Sequence, residues 1–295
     1  MSLPLAASRR QHAGCFPRAG HDRNLPDVCA RAILRAVLGV LLTLLSSFCF
    51  GINNAAVRHG VITATVAQAV AVSMPVGLAG FTLVALLTGQ WWEIANFSPH
   101  SLLMLACAGL VHFCFGRYCA YRSVRAMGAN LSAPVTQWSL MVSLVLAVVF
   151  LGEKLDVLKL FGIALLVLGP SVIVAGQRKG RLARAKQPPA DDGKPRFKPK
   201  LLEGYTFGVL ACFGWGSSPI LVRAGLEGNG MAIAGGVVSY AAATLMILLV
   251  LILPGPRHEV AAISARNLKW FTGTGTMTCF SQMLLYLAMA IAPVT

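Results

Sequence analysis

The feature that most constrains this chain is a series of apolar runs, each about 20 residues long and almost free of charged residues. A run of that length spans the ~30 Å hydrocarbon core of a bilayer as a helix. Over the whole chain 56% of the residues are hydrophobic and 12% are charged, whereas soluble domains carry roughly 25% charged residues. Runs this long and continuous exclude barrel strands, the only other structure that satisfies the backbone in hydrocarbon. The sequence therefore predicts an all-α integral membrane protein.

We expect about eight transmembrane helices, divided into five and three by a basic linker over residues 177–200 that carries nine Lys or Arg. A second basic segment, the tail over residues 1–35, carries six Arg and precedes the first helix. Neither segment can bury enough apolar surface to fold alone, so both are predicted to be disordered or to lie along lipid headgroups. The predicted helices cover residues 36–57, 64–87, 101–122, 130–151 and 157–175 before the linker, and 204–222, 231–253 and 268–291 after it.

The chain also repeats itself at a spacing of 165 residues, as when Gly51 and Tyr121 recur as Gly216 and Tyr286. This spacing places the last three predicted helices on the first three. Counterparts of the fourth and fifth helices are then missing. We therefore expect two repeats of a five-helix unit, a complete one over 36–176 and an incomplete one over 201–295. Paired repeats within one apolar chain are a common plan of secondary transporters.

The net charge of +15 comes largely from the tail and the linker. Basic segments beside apolar spans indicate topology signals or contacts with anionic lipid, so the bilayer and not a nucleic acid is the expected partner. The six-Arg tail and the nine-charge linker favour opposite orientations, and both orientations stay open. None of the eight cysteines forms a CxxC or CxxxH spacing, so no metal, other cofactor or disulfide framework is predicted.

Three stretches carry a resemblance to a known family: Trp-Gly-Ser-Ser-Pro at 215–219, Leu-Gly-Glu-Lys-Leu at 151–155, and Ala-Pro-Val-Thr at 292–295. They resemble repeats of the EamA-type transporters in the drug/metabolite transporter superfamily. The resemblance implies two inverted five-helix halves around a central cavity, and export of small polar metabolites such as amino acids or drugs. The first repeat departs from the pattern, because Phe50 precedes Gly51 where Trp-Gly is usual.

Polar side chains inside the apolar spans are the candidates for a solute site, because such groups tend to face the bundle interior. Asn53 and Asn54 in the first helix lie level with Ser217 and Ser218 in the sixth, and interhelical hydrogen bonding is the alternative role of all four. The other candidates for the lining of a central cavity are Gln68, His112, Arg117, Tyr121, Gln137, Trp215 and Gln282.

Several of these candidates keep two interpretations. Arg117 either snorkels to the headgroups or recognises an anion. Trp215 either lines the cavity or anchors its helix at the interface. His112 either relays protons or packs through a hydrogen bond.

The predicted function is a multi-pass transporter of the cell membrane, in particular a bacterial inner membrane, that exports small polar solutes. A homodimer is compatible with this plan. One alternative is a truncated, inactive fragment of such a transporter. Another is a membrane-embedded enzyme, which would need paired acids, a Cys/His pair or a metal cluster at membrane depth. The sequence shows none of these, nor a phosphate-binding loop for ATP, so no catalytic residue is predicted.

Overall fold

The structure is a computed structural model that describes residues 25–151, 199–226 and 231–291, with isolated positions between 157 and 176. Within this part of the chain every regular element is helical. Most of the predicted fifth helix, of the linker and of the tail lies outside the described residues. The elements are α1 (Leu25–Thr63), α2 (Val66–Leu87), a 3₁₀ turn (Trp92–Asn96), α3 (Pro99–Gly109), a π-helical segment (Leu110–Gly116), α4 (Arg117–Met127), α5 (Ala129–Thr136), α6 (Ser139–Leu151), α7 (Leu201–Leu226), α8 (Ala232–Val250), α9 (Pro254–Ala261) and α10 (Ala265–Ile291).

Six helical stretches in the described ranges are long and apolar enough to cross a membrane. They coincide with the predicted helices one to four, six and seven, which confirms an all-α integral membrane protein. The eighth predicted helix is present as the 27-residue α10 but is not among these six. The six stretches are Ile33–Val61, Val66–Leu87, Pro99–Met127, Ala129–Phe150, Leu201–Leu226 and Ala232–Val250.

The first helix begins earlier than the sequence predicts. Residues 25–35, which we assigned to the disordered tail, form the first turns of α1. The prediction placed the helix start at the first continuous apolar residues, whereas a helix can extend beyond the apolar run because its backbone hydrogen bonds do not depend on hydropathy.

The packing of the helices follows the 165-residue repeat. The spacing places α1 on α7, α2 on α8, and the continuous stretch from α3 to α4 on α10. Helix α1 packs along α10, and α7 packs in the same way along α3 and α4, while α2 and α8 pack against each other. Exchanging the two repeats thus exchanges these contacts. The repeat read from the sequence is therefore also a repeat in the packing.

Helix α6 covers one repeat and has no described counterpart on the other. It packs against α7 so closely that a Cβ on Gly216 would lie 2.6 Å from Val142 Cβ and 2.7 Å from the carbonyl oxygen of Ser139. At the repeat-equivalent Gly51 on α1, no described atom lies within 4 Å of such a Cβ. In the best apolar window of each helix, 44% of α7 is buried but only 11% of α1.

Local sequence signals explain several helix ends. Thr65 caps α2, because its side chain accepts from the backbone N–H of Gln68 while the Gln68 side chain accepts from the backbone N–H of Thr65. This reciprocal arrangement satisfies two otherwise unpaired donors. Helices α4 and α5 are separated by Gly128, whose φ of 86° is a conformation that glycine adopts without strain.

The third predicted helix is one continuous helical stretch with a π-helical segment in its middle, over Leu110–Gly116. Just before it, α3 approaches α8 closely, because a Cβ on Gly109 would lie 2.0 Å from the carbonyl oxygen of Ser239. Short π-helical segments inside α-helices are rare and frequently occur at functional sites. This segment positions His112 and Phe113, and Arg117 begins the next helix.

Candidate functional site

Polar side chains from four helices meet in the interior of the bundle. They are Asn53 on α1, Ser73 on α2, Arg117 and Tyr121 on α4, and Thr274 on α10, all of them buried. We call these five residues the polar layer. The layer brings together three of the sequence candidates, Asn53, Arg117 and Tyr121, and it draws on both repeats.

Arg117 is the cation of the polar layer, and it is only 3% exposed. Its Nη1 donates to Ser73 Oγ at 3.5 Å and approaches Met74 Sδ at 4.0 Å. The guanidinium carbon lies 5.1 Å from the centre of the Phe113 ring. Such burial rules out snorkelling to the headgroups, which would leave the guanidinium at the surface. Among the described residues, no carboxylate pairs with Arg117. The ion pair that the described residues do form joins Arg122 to Glu203.

Two members of the polar layer have side-chain oxygens without a hydrogen-bond partner in the described part of the chain. They are Oδ1 of Asn53, a residue that is 2% exposed, and the hydroxyl of Tyr121. The Tyr121 hydroxyl interacts with the side chains of Ser73, Thr274 and Asn53, but none of these contacts has the geometry of a hydrogen bond. Buried polar groups in proteins are nearly always paired, so each exception needs an explanation.

A second group of candidates lies next to the polar layer, where α10 and α7 meet the π-helical segment. The side-chain amide nitrogen of Gln282 lies 3.0 Å from His112 Nε2. The two side chains thus share a hydrogen bond whose donor depends on the tautomer of His112. His112 Nδ1 and Trp215 Nε1 are both buried without a partner among the residues described. The His112 and Trp215 ring centres are 6.1 Å apart.

The repeat relates several of these residues in pairs. Trp215 is the repeat equivalent of Phe50, and their rings meet edge to face with centres 5.4 Å apart. Tyr121 corresponds to Tyr286, whose hydroxyl donates to Ser239 Oγ at 3.0 Å on α8. Tyr121 interacts with Ser73 on α2, one residue before Met74, which is the repeat equivalent of Ser239.

The 165-residue spacing also pairs Arg117 with Gln282, and both are buried. The polar interior thus follows the repeat, except that one repeat has a cation where the other has a neutral amide.

The remaining sequence candidates lie elsewhere or have structural partners. Ser218, the repeat equivalent of Asn53, is buried, and Asn54 is partly buried. Ser217 Oγ donates to the carbonyl oxygen of Phe213 one turn back at 2.7 Å. Gln137 is exposed at the end of α5, so it is not part of the buried site.

Gln68 lies at the first turn of α2, five residues before Ser73 of the polar layer, which is about 7–8 Å along the helix. Besides its capping role, its Nε2 donates to the carbonyl oxygen of Glu259 at 2.7 Å. It also lines an open pocket of about 490 Å³ at this end of the bundle. The pocket carries two arginines and no acidic residue, and its lining is Thr63, Ala64, Thr65, Gln68, Arg125, Ala262, Ser264, Arg266 and Asn267.

The sequence analysis missed Ser73, Thr274 and Phe113 as neighbours of Arg117, and Arg125 and Arg266 as pocket residues. Ser and Thr are common in membrane helices, so their presence alone does not single out a site. Arg125 lies eight residues after Arg117, two turns on roughly the same helix face, and this spacing was a signal that could have linked them.

The described residues contain no group of three or more His, Cys, Asp or Glu that could hold a metal ion. The site therefore offers hydrogen-bond donors, acceptors and one cation within an apolar and aromatic setting. Such groups can bind a polar solute.

Comparison with known proteins bears on the same part of the chain. Residues 37–175 match the model of the EamA-like transporter family, and this range covers nearly all of the predicted first repeat at 36–176. No match to the chain was found among curated proteins. The family consists of transporters rather than enzymes, in agreement with a bundle of several membrane-spanning helices. Through residues 37–175, this multi-pass membrane protein is thus similar to the EamA-like transporter family.

Proposed function

We propose that the chain exports a small polar solute from the cell through the interior of the bundle, and that the solute binds at the polar layer. The observation that carries this proposal is the presence of buried polar atoms without partners, Asn53 Oδ1 and the Tyr121 hydroxyl. A buried polar group left unpaired costs about 1–3 kcal/mol. A bound solute would supply the missing hydrogen-bond partners of these two atoms.

The position of the layer fits a transport route. Solute sites of transporters built from repeats lie near the middle of the membrane, at the interface between the repeats. The polar layer draws α1, α2 and α4 from the first repeat and α10 from the second. An open pocket lies at one end of the same helices, and the proposed route leads from this pocket to the layer.

A matched pair of tyrosine variants tests this proposal. We expect Tyr121→Phe to lower the affinity for the transported solute by about 5- to 10-fold, as for one hydrogen bond, and to leave the stability of the solute-free protein unchanged. The control is Tyr286→Phe, which removes the repeat-equivalent hydroxyl that already has a partner; it should lower stability and leave solute affinity unchanged.

The measurement is flux of radiolabelled solutes from proteoliposomes, screened over amino acids, organic acids and aromatic drugs. Flux that is equal in both variants, or the absence of protein-dependent flux for every solute class, would refute the proposed route. The direction of transport follows from comparing right-side-out and inside-out vesicles. A bacterial inner-membrane location and a homodimer stay predictions.

A further inference from the structure

We propose that the solute carries an anionic group, a carboxylate joined to an apolar or aromatic body, and that Arg117 binds it. This inference rests on the proposed transport function and names the substrate class of the same site. It starts from a charge that folding leaves uncompensated.

Among the described residues, the guanidinium of Arg117 is buried without an acid. No acidic side chain of this part of the chain lies in the polar layer or lines the open pocket. Its contacts in the described ranges include the Ser73 hydroxyl, the Met74 thioether and the Phe113 ring, and the Tyr240 side chain also interacts with it. Taking a charge out of water is strongly unfavourable unless a counter-charge is present. A bound anion would provide that counter-charge.

The repeat indicates that the fold does not need a charge at this position. The equivalent residue in the second repeat is Gln282, which is equally buried and makes its hydrogen bond to His112 as a neutral group. The cation therefore distinguishes one half of the interior from the other. A charge retained where a neutral amide suffices for packing points to a ligand.

The groups around Arg117 suit a carboxylate with an apolar body. A carboxylate accepts several hydrogen bonds, and a guanidinium presents a planar fork of donors to it. The hydroxyl of Tyr121, which has no partner among the described residues, is a further donor one turn along α4. Phe113, Met74 and the Phe50–Trp215 pair provide apolar and aromatic surface nearby.

The open pocket has the charge that an anion needs on its way to the layer. Arg125 and Arg266 line it, and no acidic side chain does. Arg125, Tyr121 and Arg117 follow one another at intervals of four residues on α4. At 1.5 Å per residue, Arg117 and Arg125 are about 12 Å apart along the helix. A positively charged entrance raises the local concentration of anions and their rate of association.

Binding to the purified full chain in phosphatidylcholine nanodiscs tests the inference. The probes are a series of carboxylates of increasing size, namely acetate, butyrate, benzoate and indole-3-acetate, with benzamide and benzylamine as the neutral and cationic counterparts of benzoate. We expect at least one carboxylate to bind and to raise the melting temperature, and its neutral and cationic counterparts to have no effect.

The central variant is Arg117→Gln, which places at this position the residue that the second repeat has in the equivalent one. We expect it to weaken carboxylate binding by about 10- to 100-fold, as for a lost charge-assisted contact. The carboxylate affinity of Arg117→Lys should lie between those of the wild type and Arg117→Gln, because lysine keeps the charge but not the planar fork. Arg257→Gln, which removes an exposed arginine on α9, is the control and should leave binding unchanged.

Three results would overturn the inference. The first is that no carboxylate binds in an Arg117-dependent manner, or that benzamide or benzylamine binds as well as benzoate. The second is that Arg117→Gln lowers the stability of the ligand-free protein, which would give the arginine a structural role. The third is that phosphatidylglycerol added to the nanodiscs reproduces the Arg117-dependent stabilisation while no free carboxylate does, which would make the anion a lipid headgroup.

The transport proposal fails separately. Flux of a neutral or cationic solute that is unchanged in Arg117→Gln would support transport and overturn the proposal that the solute is an anion. Arg117-dependent binding of a carboxylate without flux of any solute would support the anion site and contradict transport.

Discussion

The contact between α6 and α7 can be tested by one methyl group, added in two repeat-equivalent places. In Gly216→Ala the new Cβ would lie 2.6 Å from Val142 Cβ and 2.7 Å from the Ser139 carbonyl oxygen. Real Cβ atoms do not approach other heavy atoms so closely, so α6 and α7 must move apart. In Gly51→Ala the new Cβ meets nothing described within 4 Å.

The magnitude follows from two opposing terms. Replacing a helical glycine by alanine stabilises a helix by about 1 kcal/mol, and this gain applies to both variants. Overpacking a close contact typically destabilises by about 1–3 kcal/mol, and this loss applies to Gly216 alone. We therefore expect Gly51→Ala to be slightly more stable than the wild type, and Gly216→Ala to be less stable than Gly51→Ala by about 1–3 kcal/mol.

Unfolding of the purified variants in mixed micelles with increasing SDS, followed by tryptophan fluorescence and circular dichroism, gives both free energies. Because the two positions are related by the repeat, the propensity gain cancels in the difference between the variants. Equal stabilities, or a Gly51 variant that is the less stable one, would refute the close packing of α6 on α7.

Three further outcomes are expected. Gln68→Ala should lower the free energy of unfolding by about 1 kcal/mol through the lost cap of α2 and leave solute affinity unchanged; a large loss of affinity would make Gln68 a ligand. Tyr286→Phe should lower stability by about 0.6 kcal/mol, with no added effect in a background that lacks the Ser239 hydroxyl; additive effects would contradict the hydrogen bond. Gly109→Val should prevent correct packing of α3 on α8, since even a Cβ would lie 2.0 Å from a backbone oxygen; a monodisperse, normally stable variant by gel filtration and SDS unfolding would contradict that contact.

The sequence predicted the membrane class and six of the spans because hydropathy and length alone determine what crosses a bilayer. The prediction was less accurate where a helix continues beyond the charged residue that ends its apolar run. The third helix was predicted to end at Arg122, but it continues to Met127 and stops at Gly128. Arg122 ends the apolar run without ending the helix, because its side chain reaches Glu203 on α7 at 2.7 Å instead of the headgroups.

The candidate site was predictable only in part. A polar residue in an apolar span is visible in the sequence, and Asn53, Arg117 and Tyr121 are such residues. Which way each side chain faces depends on helix rotation, and here also on a π-helical segment that changes the register between α3 and α4. Gln137 passed the same sequence test and is exposed, because the polarity of a residue does not reveal its neighbours.

Helix α6 covers α7, whereas no described helix covers α1 in the same way, and this difference determines which faces of the bundle are open to lipid or detergent. Around Gly51, α1 presents Phe48, Ile52 and other apolar side chains outward, and nothing described covers them. Acyl chains or detergent tails would pack against any part of that face that the rest of the chain leaves open, whereas α7 has α6 in the same role. Extraction from the bilayer should therefore disturb α1 before α7, and detergent chain length should matter most for the half of the molecule that holds Asn53.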